Sequence, residues 1–346
     1  MMALHQIVER LLLTGTHLET LKPAPAPVAP AALQPLIDAV AESHRRFDKR
    51  AIHFGHRYRS GFWAIYLLSA IAVLCAVLPL ALGWDSAYHL QHPYAGLWAV
   101  TEVAVIGAVS ATYWLGHRRD WQGQWLRART TAELSWYLPM VAPLLDFTSS
   151  AGEPNWYLRI FDPGQYLRGT SDIAALCERN EPLARKLLST AWSDPAFTAS
   201  YAHWTIDILE QQRHYHHGVA IKQHALLHRV HRVTSTLFAL TALGALLHLV
   251  IHTLWLSLVT TFFPALGASL HGALAQSEAY RMGATSDRLT GELKGAIDGI
   301  RATIDENGST SDVGALKAAI EAAIALILQE HQDWHLLVRP HHLPLA

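Results

Sequence analysis

The sequence predicts an all-α membrane protein: four spanning helices with a cytoplasmic helical domain, arranged as two two-span units. Three observations carry this. First, the run from Val233 to Ala275 contains no Asp, Glu, Lys or Arg. One spanning helix needs about 20 apolar residues, so the run accommodates two spans joined by a tight turn. A buried soluble hairpin would normally carry charges along one face. Second, Phe62 to Gly83 is uncharged, and Ala95 to Leu115 is interrupted only by Glu102. Third, basic residues gather on one side of every span. HRRFDKRAIHFGHRYR precedes the first, Arg118, Arg119, Arg127 and Arg129 follow the second, Lys222, Arg229 and Arg232 precede the third, and Arg281 follows the fourth. The two inter-span connections contain neither Lys nor Arg. The positive-inside rule then places both termini and the long middle segment in the cytoplasm.

Composition agrees. Of 346 residues, 51% are hydrophobic and 16% charged, against about 25% charged in an ordinary soluble domain. A net charge of -1 gives no reason to expect nucleic acid as a partner. Cys75 and Cys177 are the only cysteines, too few for a disulfide framework or a zinc site. The N-terminus lacks the basic segment and small-residue cleavage site of a secretory signal, so none is expected.

In chain order, residues 1–32 form an N-terminal segment, with an amphipathic helix near 4–21 and an extended Pro/Ala linker, KPAPAPVAPAA. Residues 33–140 form the first two-span unit, with spans at about 62–83 and 95–115; Pro79 kinks or ends the first. Residues 141–233 are a cytoplasmic region, loop-like around PNWYLRIFDPGQYLRGTSD. A long helix starts near Asp194-Pro195 and runs into the third span. Residues 234–346 form the second unit, with spans at about 234–252 and 255–275 and the turn near His252 to Trp255. A polar helix then runs to about Ile304, Asn307-Gly308 forms a turn with Ser311 or Asp312 as N-cap, and ALKAAIEAAIALILQEHQDWHLL is the last helix. The layout suggests an internal duplication, although weak residue identity supports common topology rather than common ancestry.

HRRDWQGQWLRARTTAELSW after the second span, EQQRHYHH before the third, FFPALGASLHGALAQSEAYR through the fourth and HQDWHLLVRPHHLPL at the end together resemble the SLATT group of bacterial membrane proteins. These are two-transmembrane effector domains associated with nucleotide-signalling conflict systems. The resemblance covers most of residues 40 to 340 through loose patterns of Trp, Arg, Glu and Pro. It implies an inner-membrane effector that oligomerises and permeabilises the membrane, or conducts ions, in a defence or cell-suicide response. A sensor protein or nucleotide second messenger would be the trigger, yet the chain has no recognisable nucleotide-sensing domain.

No Gly-rich phosphate loop, nucleophile elbow or HExxH pattern occurs, so neither an enzyme nor a cofactor is expected. The alternative to the effector is a constitutive membrane scaffold or small ion channel docking a cytoplasmic partner. A secondary transporter is disfavoured, because no span is broken by paired Gly/Pro around a midplane site.

Glu102 is the sharpest candidate. Intramembrane carboxylates are costly and usually face a bundle interior or an aqueous path. It either lines a pore, where copies around an axis would favour cations, or it reaches to the outer headgroups from two turns inside its helix. His248 and His252 are further pore-lining candidates, and Pro264 is a gating or kink candidate. His217, His224, His228 and His231 share a helical face; with no Cys or carboxylate among them they read as an interfacial polar stripe rather than a metal site. Arg118, Arg119, Arg127 and Arg129 suit anionic headgroups or, less simply, an anionic messenger. Ala239, Ala242, Gly244 and Ala245, with Gly267, Ala268, Gly272 and Ala273, allow close helix approach within one chain or between copies.

Overall fold

The computed structural model describes residues 2–15, 27–84, 95–144, 171–188 and 191–338. The first inter-span connection, the PNWYLRIFDPGQYLRGTSD loop up to Thr170 and the final HHLPL lie outside the described residues. Every regular element described is helical. In order they are α1 (Leu4–Leu12), α2 (Gln34–Ala81), α3 (Ala95–Arg118), α4 (Trp121–Val141), α5 (Ser171–Leu188), α6 (Pro195–His248), α7 (Leu254–Gln276), α8 (Ala279–Arg301) and α9 (Val313–Val338). Four of them, α2, α3, α6 and α7, are long and apolar enough to cross a membrane. The chain is therefore read as a multi-pass membrane protein.

Local chemistry sets the helix ends. α6 starts where Asp194 accepts a hydrogen bond from the Ala196 amide at 2.9 Å with Pro195 at the first helical position, the favoured pairing for an N-terminus. α9 starts with the Asp312 carboxylate accepting from the Ala315 amide at 2.9 Å. α2 runs two residues past Pro79 and stops at Gly83, whose φ of +75° closes a left-handed cap. The Trp84 amide then donates back to the Pro79 carbonyl at 2.9 Å. α6 ends at His248, so the second inter-span turn occupies residues 249–253, a few residues before the His252 to Trp255 position expected from polarity. α8 ends at Arg301 rather than Ile304. Gly308, with φ +79°, supplies the expected pivot of the following turn.

The chain contains two helix triplets of the same order. In each, a long helix runs from a helical bundle into a candidate span, a second helix returns, and a third folds back along the non-spanning half of the first. The first triplet is α2, α3 and α4; the second is α6, α7 and α8. Each return helix breaks from its successor at an acidic residue with positive φ: Asp120 (φ 44°) and Glu278 (φ 54°). Among the described residues these are the only non-glycine positions in that region of backbone space.

The non-spanning halves close around an apolar core that includes Leu36, Leu138, Leu209, Leu293 and Ile320, all essentially inaccessible. Burying each such side chain contributes about 1.5–3 kcal/mol. Tyr201 is fully buried, stacks on Phe197 at 5.6 Å and donates its hydroxyl to the Met140 carbonyl at the end of α4. Trp192 donates to the Pro143 carbonyl at 2.6 Å, satisfying another acceptor there. A second core, around Phe62, Trp63, Ile65, Val230 and Ala273, sits where the helical bundle meets the spans.

The spans do not close into a ring. α3 packs on α2, α2 on α7 and α7 on α6, giving an open row with α3 and α6 at its edges. The apolar window of α3 has no buried residue and that of α6 very few. Close contact in the middle of the row depends on Gly272, where a Cβ would collide with the Tyr66 ring. Gly244 serves the α6–α7 pair, with Val259 3.2 Å from where its Cβ would lie.

Candidate functional site

Where the helical bundle meets the spans, α2, α4, α6 and the α7–α8 break enclose a cavity of about 240 Å³. Its position follows from the triplet design, since α4 and α8 both begin at this level and lean against α2 and α6. Gly55 lets α4 approach: a Cβ there would lie 2.9 Å from the Trp125 indole nitrogen. Trp125 in turn stacks on Tyr58 with ring centroids 5.6 Å apart. Tyr58 accepts a hydrogen bond from Gln276 at 2.9 Å, which ties α2 to the end of α7.

Two arginines line the cavity in different electrostatic states. Arg129 pairs with Glu133 one turn along α4 and has Asp48 of α2 at 3.8 Å. Burial pushes the Glu133 carboxyl up, with Arg129 pulling the other way. Arg59 stands apart. Its Nε is buried with no hydrogen-bond partner, and its guanidinium lies 5.3 Å from the Trp125 ring centroid. Burial draws its pKa below the ordinary guanidinium value, and Glu9 is the acid whose charge it feels most. Glu9, however, is committed to Lys222 at 2.6 Å. A buried donor without a partner costs about 1–3 kcal/mol, and more when charged. A cation–π contact returns about 0.5–2 kcal/mol, so Trp125 offsets that cost only in part.

The opposite wall holds His216 and Glu278. His216 is buried, sits 3.4 Å from the Ser286 hydroxyl, and has its pKa lowered to about 4 by burial. It is neutral at pH 7. Glu278 makes no capping hydrogen bond and has Arg281 Nε at 3.6 Å. A non-glycine residue in its left-handed conformation costs about 1–3 kcal/mol, and the surrounding contacts hold it there.

α1 docks beside this cavity. His5 is buried 3.2 Å from the Ser60 hydroxyl and edge-on to His56 at 5.2 Å. Burial first, then the charge of Arg59, lowers the His5 pKa to about 4. The Lys222–Glu9 pair and a 3.1 Å hydrogen bond from Arg229 to the Thr14 carbonyl fix the same segment.

The residues singled out from the sequence lie mostly elsewhere. Glu102 shares with Val105, Val109 and Tyr113 the partly covered side of α3 that packs on α2, within electrostatic reach of Cys75. His248 and His252 meet at the tip of the second hairpin, with ring centroids 5.9 Å apart and His248 Nδ1 buried without a partner. They are far along the chain from Glu102, and among the described residues α3 does not pack substantially against either helix of that hairpin. Pro264 is accommodated inside α7, which stays helical through it. Arg118 lies exposed with its guanidinium 4.9 Å from the Trp114 ring, and Arg119 is exposed beside it. Arg127 pairs with Asp120 at 2.8 Å. Arg129 turns inward to the cavity. His217, His224, His228 and His231 are exposed, and His224 meets Asp287 at 2.6 Å. Among the described residues no three His, Cys, Asp or Glu side chains converge as metal ligands.

Sequence reasoning passed over Arg59, His216, Glu278 and His5. Two signals were present. Arg59 is the last basic residue before the first span, and Glu278 is the first acidic residue after the fourth. No protein-family model, curated protein or solved structure matches the chain.

Proposed function

We propose that this chain is a membrane effector switched from the cytoplasmic side, and that its ion path forms between copies rather than within one. The supporting observation is the course of α2 and α6. Each runs without interruption from the cytoplasmic core into a span. A rigid helix shared by both regions transmits any rearrangement of the bundle to the membrane. The open row of spans adds to this, because its uncovered edges, α3 and α6, are available to lipid or to another copy. In this reading the protein resides in a bacterial inner membrane with both termini cytoplasmic, and a sensor protein or messenger acts on the helical bundle. No catalytic step is assigned to it.

The test is membrane potential in cells expressing the full chain, followed with a potential-sensitive dye alongside growth. An effector depolarises cells and arrests growth as expression rises, and the purified protein releases ions from liposomes. Full potential at high membrane levels, together with tight liposomes, would replace this reading with that of a scaffold.

A further inference from the structure

We infer that the cavity between α2, α4, α6 and the α7–α8 break is a binding site for a phosphate-bearing anion, with Arg59 as its principal ligand. Of the ionised groups around the cavity, Arg129 is matched by Glu133 and Asp48, and Glu278 by Arg281. Arg59 has no ion pair among the described residues, and its Nε is buried without an acceptor. A cation in that state calls for an anion that can enter the space it borders, and a guanidinium suits tetrahedral oxyanions through its fork of donors. The space is about 240 Å³, room for a phosphate and part of the group that carries it. His216 is neutral there and can donate a hydrogen bond without adding charge.

The position narrows the source of the phosphate to two. Arg59 lies three residues before Phe62, where the uncharged run of the first span begins, so the cavity sits at headgroup level on the basic side of the membrane. An anionic lipid headgroup and a soluble phosphate monoester share the required chemistry. In either case the occupant would sit against Ser277 and Glu278, at the break that sets the angle between the fourth span and α8. The inference concerns occupancy alone and stands or falls apart from the pore reading.

The experiment uses the full-length protein, delipidated in detergent and also placed in nanodiscs. In detergent it is titrated with inorganic phosphate and with phenyl phosphate. In nanodiscs, phosphatidylcholine alone is compared with a phosphatidylcholine–phosphatidylglycerol mixture, and native mass spectrometry counts retained anionic lipid. Thermal unfolding reports binding throughout. Saturable stabilisation by the soluble phosphates in detergent identifies a soluble ligand; stabilisation and retention confined to phosphatidylglycerol identify a headgroup. Arg59→Gln should weaken either response about 10- to 100-fold, the range expected for losing a charge-assisted hydrogen bond. Unliganded, the same variant should unfold no earlier than the wild type, because it removes an unmatched buried charge. Val219→Phe fills the cavity from α6 while keeping Arg59, and it should abolish the response too, which covers the case in which Arg59→Gln fails to fold. Arg288→Gln, on the exposed side of α8, should bind normally. A wild-type protein that responds to neither class of phosphate, or variants that respond as the wild type does, would overturn the assignment.

Discussion

At the foot of α3, Asp120 adopts a left-handed conformation, is about half exposed, and accepts hydrogen bonds on its carboxylate from the Gly123 amide and from Arg127. At the foot of α7, Glu278 adopts the same conformation with its side chain only 13% exposed, makes no capping hydrogen bond, and lies in the wall of a cavity. The two helix triplets use one backbone device for different ends. In the first, the break is a surface turn whose carboxylate is satisfied locally. In the second, the break is buried against α2 and shares its space with an unmatched arginine. The span helices differ in the same sense: α3 lies at the edge of the row, whereas α7 is held between α2 and α6. The break of the second triplet therefore couples membrane packing to the cavity, and that of the first does not.

Substituting the glycines should separate the two triplets most clearly. Gly272→Val drives a side chain into the Tyr66 ring. Overpacking of this kind costs about 1–3 kcal/mol and sometimes more, so monodisperse yield and thermal unfolding temperature in detergent should both fall sharply. Gly107→Val on α3 meets nothing within 4 Å and should shift stability by less than about 0.5 kcal/mol. Equal losses in the two variants would mean that α3 is as enclosed as α7.

Acid should also act on the second triplet. His216 is 7% exposed and its pKa is lowered to about 4, against an unfolded value of about 6.5. The fold favours the neutral imidazole, so the unfolded chain binds more protons between those two values. Stability is intact above about pH 6.5 and declines as pH falls toward 4, by about 3 kcal/mol for this one group. His5, 3% exposed and likewise lowered to about 4, adds a change of the same sign. Thermal unfolding from pH 7.5 to 4 should show the decline, and His216→Gln should flatten it. A variant as acid-sensitive as the wild type would place the titrating groups elsewhere.

Smaller effects of opposite sign are expected at the two breaks themselves. Asp120→Ala removes an N-cap and should cost about 1 kcal/mol. Glu278→Gly relieves a conformation that costs a non-glycine residue about 1–3 kcal/mol, less the 0.5–1 kcal/mol or so that glycine loses in chain entropy. It should be neutral or mildly stabilising. Paired melting curves decide this, and destabilisation by Glu278→Gly would show that the carboxylate matters more than the backbone strain.

Much of the fold was legible because membrane and capping signals are local. Uncharged runs marked the spans, and Asp194-Pro195 and Asp312 marked helix starts through chemistry confined to a few residues. The cavity was not legible, because Arg59, Arg129, His216 and Glu278 lie far apart in sequence and meet only through helix packing. Arg129 illustrates the difficulty. Beside Arg118, Arg119 and Arg127 it reads as one more membrane-flanking charge, and only the fold of α4 against α2 turns it toward Asp48. The open row was hidden for the same reason, since hydropathy locates spans but carries no information on which of them touch.

Glu102→Gln should change stability least and says most about the first triplet. The side chain lies on the side of α3 that faces α2, two turns from the start of the helix. Under the proposed assembly it borders a path that a second copy completes; otherwise it reaches along the helix to the headgroups. Gln keeps the shape and the hydrogen-bonding atoms while removing the charge, so insertion and melting should be unchanged or slightly improved, because a charge within the membrane is a cost. If that path is aqueous in the assembled protein, cation flux in liposomes and growth arrest at matched protein levels should both fall, and Glu102→Lys should reverse the ion preference. Flux unaltered by Gln would assign Glu102 to the headgroups. α3 would then be a lipid-facing support for α2, and the search for the path would move to the α6 edge, where His248 and His252 close the other hairpin.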